Sequence, residues 1–200
     1  MKGNYEEQFL KVLEEAPKSA KLLLHSCCAP CSSACLERLF GHFQITVFYY
    51  NPNIENEEEY EKRKAEQIRF LKETGYADIL DCDHDKGAFE EISVGYEHEP
   101  ERGKRCYRCY KLRLDKTAQA AKRGGYDYFA TTLTLSPYKN AEWLNELGEQ
   151  AALFYGVKYL PSDFKKKNGY RRSIELSKEH GLYRQDFCGC EFSRRAREEK

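Results

Sequence analysis

Short apolar runs alternate with longer amphipathic stretches along the chain. Runs of strand type lie at residues 21–25, 44–50, 77–82, 126–133 and 157–160. Apolar residues at helical spacing predict helices over residues 1–17, from the end of the first run to about residue 40, over 57–74, over most of 88–125 except 97–103, and over 141–155. Strands separated by helices of this length pair in parallel through right-handed crossovers, so the pattern predicts an α/β fold with a three-layer parallel sheet.

Length and composition limit the number of domains and the kinds of partner, and they agree with the predicted fold class. A length of 200 residues fits one domain, and we expect residues 1–200 to form a single catalytic domain. Its segment 163–200 is a basic C-terminal extension that contains the last two cysteines. The formal net charge is zero, so a nucleic-acid partner needs a local basic patch. No apolar run approaches the roughly 20 residues of a membrane span, and we expect a cytoplasmic protein without a secretory signal or a membrane partner.

The cysteines are grouped. Eight of the nine fall in three groups, which are Cys27, Cys28, Cys31 and Cys35; Cys106 and Cys109; and Cys188 and Cys190. Cytoplasmic thiols stay reduced, so clustered cysteines there indicate metal binding or catalysis rather than structural disulfides. In a parallel sheet ligands bind beyond the carboxyl ends of the strands. The first group follows the first strand directly, which predicts a functional site at that edge.

The first two groups have the spacing of metal ligands. Thiolates bind iron–sulfur clusters or zinc, and either can take four sulfur ligands. Adjacent Cys27 and Cys28 are awkward in a closed tetrahedral zinc site, which favours iron–sulfur. Buried thiols with no ligand are the remaining interpretation. Cys35 and Cys82 are interpreted as core residues, and His25 as a structural residue at a strand end.

Cys188 and Cys190 are separated only by Gly189. Such a pair is cramped for chelating one metal but can close a small, strained disulfide, which suits a reversible electron relay. Metal ligation and an unused pair remain alternatives.

Basic residues interleave with tyrosines beside the cysteines. One run comprises Arg102, Lys104, Arg105, Arg108, Lys111 and Arg113 around Tyr107 and Tyr110, and the other comprises Lys165, Lys166, Lys167, Arg171 and Arg172 around Tyr170. A third run, Arg194, Arg195 and Arg197, follows the last cysteines. Cations that contact phosphates beside aromatics that stack bases are what unpaired RNA requires. An isolated run is usually a solvated face, but adjacency to the cysteines favours an RNA substrate. The candidate substrate contacts are Lys165, Lys166, Lys167, Tyr170 and Arg171.

Five motifs in order carry a family resemblance. They are HSCCAPC at 25–31, YYNPNI at 49–54, CYRCY at 106–110, TL at 132–133 followed by SPYK at 136–139, and DFCGC at 186–190. The set closely resembles the cobalamin-independent epoxyqueuosine reductases, the QueH family, over nearly the whole chain.

The resemblance implies a sheet of the nucleotide α-hydrolase (Rossmann-like) type and an oxidoreductase. Such enzymes reduce epoxyqueuosine to queuosine at the wobble position of tRNA, so the implied partners are a tRNA anticodon loop carrying the modified base and an electron donor that the sequence does not identify. Carried over by motif, Cys27, Cys28, Cys106 and Cys109 hold a [4Fe–4S] cluster, and Cys188 with Cys190 forms the redox-active disulfide pair. A second, mononuclear iron is also implied, with Cys31 and nearby carboxylates as candidate ligands.

Two other functions share parts of the pattern. An ATP-dependent tRNA thiolase-like enzyme has the same layout, but its phosphate loop is glycine-rich, whereas residues 26–31 contain no glycine. A zinc-stabilised RNA-binding module is the third candidate, and its metal content distinguishes it from a cluster enzyme.

Overall fold

The fold is built on five parallel strands. The structure is a computed structural model and describes residues 4–198. The strands are β1 (Lys21–His25), β2 (Gln44–Phe48), β3 (Asp78–Leu80), β4 (Tyr128–Thr131) and β5 (Lys158–Tyr159), in the spatial order β3-β2-β1-β4-β5. The predicted parallel α/β sheet is therefore confirmed. Its order reverses between β1 and β4, and the crevice at their carboxyl ends is where such sheets bind ligands.

Helices cover both faces of the sheet. They are α1 (Tyr5–Glu15), α2 (Ala29–Leu39), α3 (Glu57–Thr74), α4 (Lys86–Ser93), α5 (Lys104–Arg123), α6 (Ala141–Tyr155), α7 (Gly169–Glu179) and α8 (Glu191–Glu198). Strand β1 shows the layering: Leu22 and Leu24 belong to one buried cluster with residues of α2, α3 and α7, while Leu23 belongs to a second cluster with α5 and α6. Alternate residues of a strand point to opposite faces, so this central strand is buried on both sides.

Several element bounds match the prediction, and others differ. The bounds of β1, α3 and α6 are as predicted. The fourth strand ends at Thr131 rather than residue 133, because the Thr131 hydroxyl accepts a hydrogen bond from the backbone N–H of Leu133 at 3.2 Å and starts a 3₁₀ turn, Thr132–Leu135. The third strand is shorter than residues 77–82. The predicted helix over 1–17 is observed as α1, and residues 1–3 lie outside the described part.

The basic segment from residue 163 is packed onto the sheet layers. Phe164, Leu176 and Leu182 are buried in the same cluster as β1, and α7 lies against α2. Residues 199 and 200 of the predicted extension lie outside the described residues. No helix in residues 4–198 has the length and apolar character needed to cross a membrane.

Candidate metal and redox site

The first cysteine turn, residues 26–31, joins β1 to α2. Cys28 is the N-terminal cap of α2 with an extended backbone, and Pro30 lies in the first helical turn, where its fixed φ suits the helix. The Sγ atoms of Cys27, Cys28 and Cys31 all lie within 4.8 Å of one another, and those of Cys27 and Cys28 are 3.8 Å apart. Because the chain passes directly from strand β1 into helix α2, the three thiols lie close together.

Hydrogen bonds from distant elements fix this turn. Gln67 of α3 accepts hydrogen bonds from the hydroxyls of Ser26 at 2.7 Å and Ser32 at 2.9 Å. The side-chain amide of Asn51 donates to the Ser26 carbonyl at 2.9 Å, and that of Gln185 donates to the Cys28 sulfur at 2.8 Å. The serine, asparagine and glutamine partners are buried or half-buried, so the turn is held by a polar network inside the protein.

The three thiols differ in acidity. Hydrogen bonds from Cys28 and Cys31 lower the pKa of Cys27 well below its usual value, and hydrogen bonds with Cys27 and Cys28 raise the pKa of Cys31. A metal bound here would take the place of the thiol protons. Three converging sulfur donors fit zinc or iron, and the residues present thus fit a thiolate-bound metal centre.

Cys106 and Cys109 lie on α5, three residues apart and therefore on one face of the helix. Cys106 is half-buried and its sulfur accepts the backbone N–H of Arg102 at 3.3 Å, whereas Cys109 is buried. Neither belongs to the close triad of Cys27, Cys28 and Cys31 in the described residues. They line a narrow cavity that also includes Cys188 and Cys190.

Cys188 connects the two groups. It lines the narrow cavity, and it also lines a larger one of about 710 Å³ whose wall includes Cys27 and Cys31. Cysteines from three distant stretches of the chain thus surround adjoining cavities at the carboxyl edge of the sheet. All nine thiols lie in the described residues and all are free.

The C-terminal cysteine loop, residues 186–190, is held by side chains from outside it. Arg63 donates to the carbonyls of Cys188 at 3.2 Å and Phe187 at 3.5 Å, and the Asn53 amide donates to the Cys188 carbonyl at 3.4 Å. Gly189 has φ +117°, and a Cβ there would lie 2.8 Å from Cγ1 of Ile54. Glycine is required at this position by both conformation and space.

Arg63 is itself buried and paired. Its Nε lies 2.6 Å from Glu59 one turn earlier on α3, and its guanidinium lies over the Phe187 ring at 5.0 Å. The arginine side chain is 1% exposed. A single buried cation therefore ties α3 to the C-terminal cysteine loop.

Comparison with known proteins identifies the family of this chain. The family model described as epoxyqueuosine reductase QueH matches residues 22–196. The chain belongs to the QueH family. It is similar to the epoxyqueuosine reductase QueH of Streptococcus pyogenes, with 44% identity over 96% of this chain and 78% of the relative. The QueH of Staphylococcus epidermidis is 41% identical over 96% and 85%, and that of Thermotoga maritima 37% identical over 90% and 93%.

His25 has a structural role in this QueH-family chain. Its Nε2 lies 3.0 Å from the Tyr50 carbonyl, which can only accept, so Nδ1 accepts from the Thr131 hydroxyl at 2.9 Å. Burial lowers the pKa of His25 to about 3, which keeps the ring neutral. The histidine joins the ends of three strands beneath the cysteines.

The two cysteines interpreted as core residues pack away from the cavities. Cys35 is fully buried, and its thiol donates to the Cys31 carbonyl at 3.2 Å. Cys82 is half-buried and donates to the Tyr49 carbonyl at 3.1 Å.

The candidate substrate contacts lie in different environments. Tyr170 lines the larger cavity, while Lys166 and Lys167 are exposed just before α7. Lys165 is ion-paired with Asp163 at 2.6 Å, and Arg171 with Glu175 at 3.1 Å. These two cations are therefore partly engaged within the chain.

Sequence reasoning missed several residues of the site. Arg63 and Gln67 lie in a helix rich in charged residues, where one buried arginine looks like any solvated one. Gln185 and Asn53 act through single amide groups that no spacing rule identifies. Asn53 lies within the YYNPNI motif and Gln185 directly precedes the DFCGC motif, and these positions were the only sequence signal for the two residues.

Proposed function

We propose that this chain reduces epoxyqueuosine to queuosine in the anticodon loop of tRNA. Membership of the QueH family supports the activity, since the relatives are named epoxyqueuosine reductase. The observation that carries the proposal is the position of Cys188, which lines both the cavity beside Cys27 and Cys31 and the cavity beside Cys106 and Cys109. A cytoplasmic location, where thiols stay reduced, is part of the proposal.

Oxidation of the proposed pair Cys188 and Cys190 supplies the electrons and protons that reduction of the epoxide consumes. Removing the epoxide oxygen breaks two C–O bonds, forms a C=C bond, consumes two electrons and two protons and releases water. Oxidation of two thiols to one disulfide releases two electrons and two protons. One dithiol therefore serves one turnover, and an external two-electron reductant returns the disulfide to the dithiol.

The proposed metal ligands are Cys27, Cys28, Cys106 and Cys109 for a [4Fe–4S] cluster, with Cys31 as a ligand of a second, mononuclear iron. When bound, an iron–sulfur centre supplies single electrons at a potential tuned by surrounding charges and hydrogen bonds. The closeness of Cys31 to Cys27 and Cys28 supports its inclusion. The Gln185 amide, which donates to the Cys28 sulfur, orients that ligand.

The larger cavity has the lining that an extruded, modified base requires. Tyr138 and Tyr170 offer aromatic faces, and Arg102 and Lys139 offer cations. An anticodon-loop base is already largely unpaired, so bringing it into the cavity costs little. We propose that Lys165, Lys166, Lys167 and Arg171 contact the tRNA backbone beside it.

The activity is tested with Cys188→Ala and Cys27→Ala. After anaerobic purification, Cys27→Ala should lose iron, brown colour and turnover together, because a ligand is missing. Cys188→Ala should lose turnover while keeping wild-type iron and sulfide. Cys82→Ser, whose hydroxyl can still donate to Tyr49, is the matched control and should keep both. Zinc in a colourless wild-type protein would contradict the proposal, and loss of iron in Cys188→Ala would contradict the relay.

The tRNA contacts are tested by changing Lys165, Lys166 and Lys167 to glutamine. Each phosphate contact to a single strand contributes about 0.7 to the slope of log K against log salt, so the slope should fall by about 2. Lys21 and Lys72 line a groove at the opposite, amino-terminal edge of the sheet, and their change to glutamine is the control. Equal tRNA affinity and slope in the triple variant would identify a plain solvated surface.

A further inference from the structure

Arg113 is a buried cation with unused hydrogen-bond donors. It lies on α5 one turn after Cys109, is 1% exposed, and its Nε donates to the Cys109 carbonyl at 3.4 Å. Both terminal guanidinium nitrogens are buried and have no hydrogen-bond partner within residues 4–198. The residue lines the larger cavity and the narrow cavity alike.

Such a group needs a counter-charge. An uncompensated buried ion is costly, and buried charges in proteins are paired or contact a metal site. In the described part of the chain no carboxylate forms an ion pair with Arg113; Glu101 and Asp186 also line the larger cavity, but both are exposed. The compensating anion therefore has to come from elsewhere.

The groups around it that can become anions are cysteine thiols. Arg113 lines the narrow cavity together with Cys109 and Cys188, and the larger cavity together with Cys27 and Cys188. Lys139 lines the same two cavities, and no ion pair to it is found in the described residues. Two cations thus face the space between the thiol groups.

We propose that Arg113 is the buried counter-cation of an anionic iron–sulfur centre and that its free N–H groups donate hydrogen bonds to sulfur. The inference rests on the proposed function, because it requires that centre. Cations and hydrogen bonds near sulfur stabilise the more negative, reduced state and raise the reduction potential. Arg113 is thus assigned to the cofactor, whereas Arg63 acts on the polypeptide of the C-terminal cysteine loop.

The experiment is a redox titration of the holoenzyme followed by electron paramagnetic resonance, with iron and sulfide content measured in parallel. At the wild-type midpoint, Arg113→Gln should lower the ratio of reduced to oxidised centre about tenfold, equivalent to about 59 mV for one electron. Arg113→Lys keeps the charge and should stay within about threefold of wild type. Arg38→Gln is the control, since Arg38 pairs with Glu6 and lies over Phe9, and it should leave the ratio unchanged.

The conservative variant gives a second readout. Arg113→Lys loses the guanidinium fork, so it should release iron to a chelator faster than wild type. Release at the wild-type rate contradicts hydrogen bonding by the fork. If Arg113→Gln does not fold, Arg113→Met carries the same expectation for the potential.

The outcomes separate the two proposals. A wild-type protein without an iron–sulfur centre overturns the proposed function. A wild-type centre whose potential is unchanged in the neutral variants overturns only the role of Arg113. If those variants keep the potential but bind tRNA more weakly, the anion is a substrate phosphate and the inference is wrong.

Discussion

The first cysteine turn and the C-terminal cysteine loop present the same chemical group in two different ways. The turn runs directly from a strand buried on both faces into a helix that starts at Ala29, and side-chain hydrogen bonds from other elements hold it in addition. The loop belongs to no strand or helix, and Arg63 and Asn53 hold its backbone from a distant stretch of chain. Thiols that hold a metal need a fixed arrangement, whereas thiols that form and break a disulfide need room to change partners. This difference agrees with the proposal that the first cysteine turn holds a metal and the C-terminal cysteine loop forms a reversible disulfide.

The largest expected effect is that of Arg63→Met on the C-terminal loop. The change leaves Glu59 as an unpaired, mostly buried carboxylate and removes the donor to the carbonyls of Phe187 and Cys188. Breaking one partner of a buried pair costs about 3–5 kcal/mol. Denaturant unfolding of the holoenzyme should show that loss, and Cys188 should react faster with an alkylating reagent.

Two variants test whether the pair is responsible. Arg69→Met, on the exposed side of the same helix, should change the free energy of unfolding by less than about 1 kcal/mol. Arg63→Met combined with Glu59→Gln should recover part of the loss, because no unpaired charge remains. A double variant as unstable as Arg63→Met alone would show that the loop is not held through this ion pair.

The same contrast explains how much could be predicted from sequence. Strand β1, the first cysteine turn and the clustering of sulfur at one edge follow from local pattern, since apolar runs and cysteine spacing act over a few residues. Both the clamp by Arg63 and the inward direction of Arg113 depend on packing between elements far apart in the chain. The end of β4 at Thr131 depends on one side-chain hydrogen bond, which periodicity does not show.

A smaller effect is expected from Gly189→Ala in the loop. The residue lies at φ +117°, and the new Cβ would meet Ile54 and the Arg63 guanidinium at 2.8 and 3.3 Å. Strain of this kind costs about 1–3 kcal/mol. Turnover should fall through displacement of Cys188 and Cys190, with iron content unchanged.

Gly181→Ala is the matched control for backbone strain. Gly181 also has positive φ, at +58°, but a Cβ added there would meet no atom within 4 Å, and the residue lies outside the loop, directly after α7. The change should destabilise the protein by about 1–2 kcal/mol without altering turnover per folded molecule. Equal turnover in the two glycine variants would mean that the loop conformation is not needed for activity.

The smallest effect is expected from Gln67→Leu, which acts on the first cysteine turn. The Ser26 and Ser32 hydroxyls lose their shared acceptor, but each can still donate to a backbone carbonyl, of Cys28 at 3.3 Å and of Ala29 at 3.1 Å. The loss should therefore lie near the low end of the range for unsatisfied buried groups, about 1–2 kcal/mol. Adding Ser26→Ala and Ser32→Ala should restore most of it, because the two hydroxyls that lost their better acceptor are then absent. Alkylation of the metal-free protein should become faster at Cys28 and stay unchanged at Cys188. A change at Cys188 instead would mean that the two segments are coupled and that the turn is not held independently of the loop.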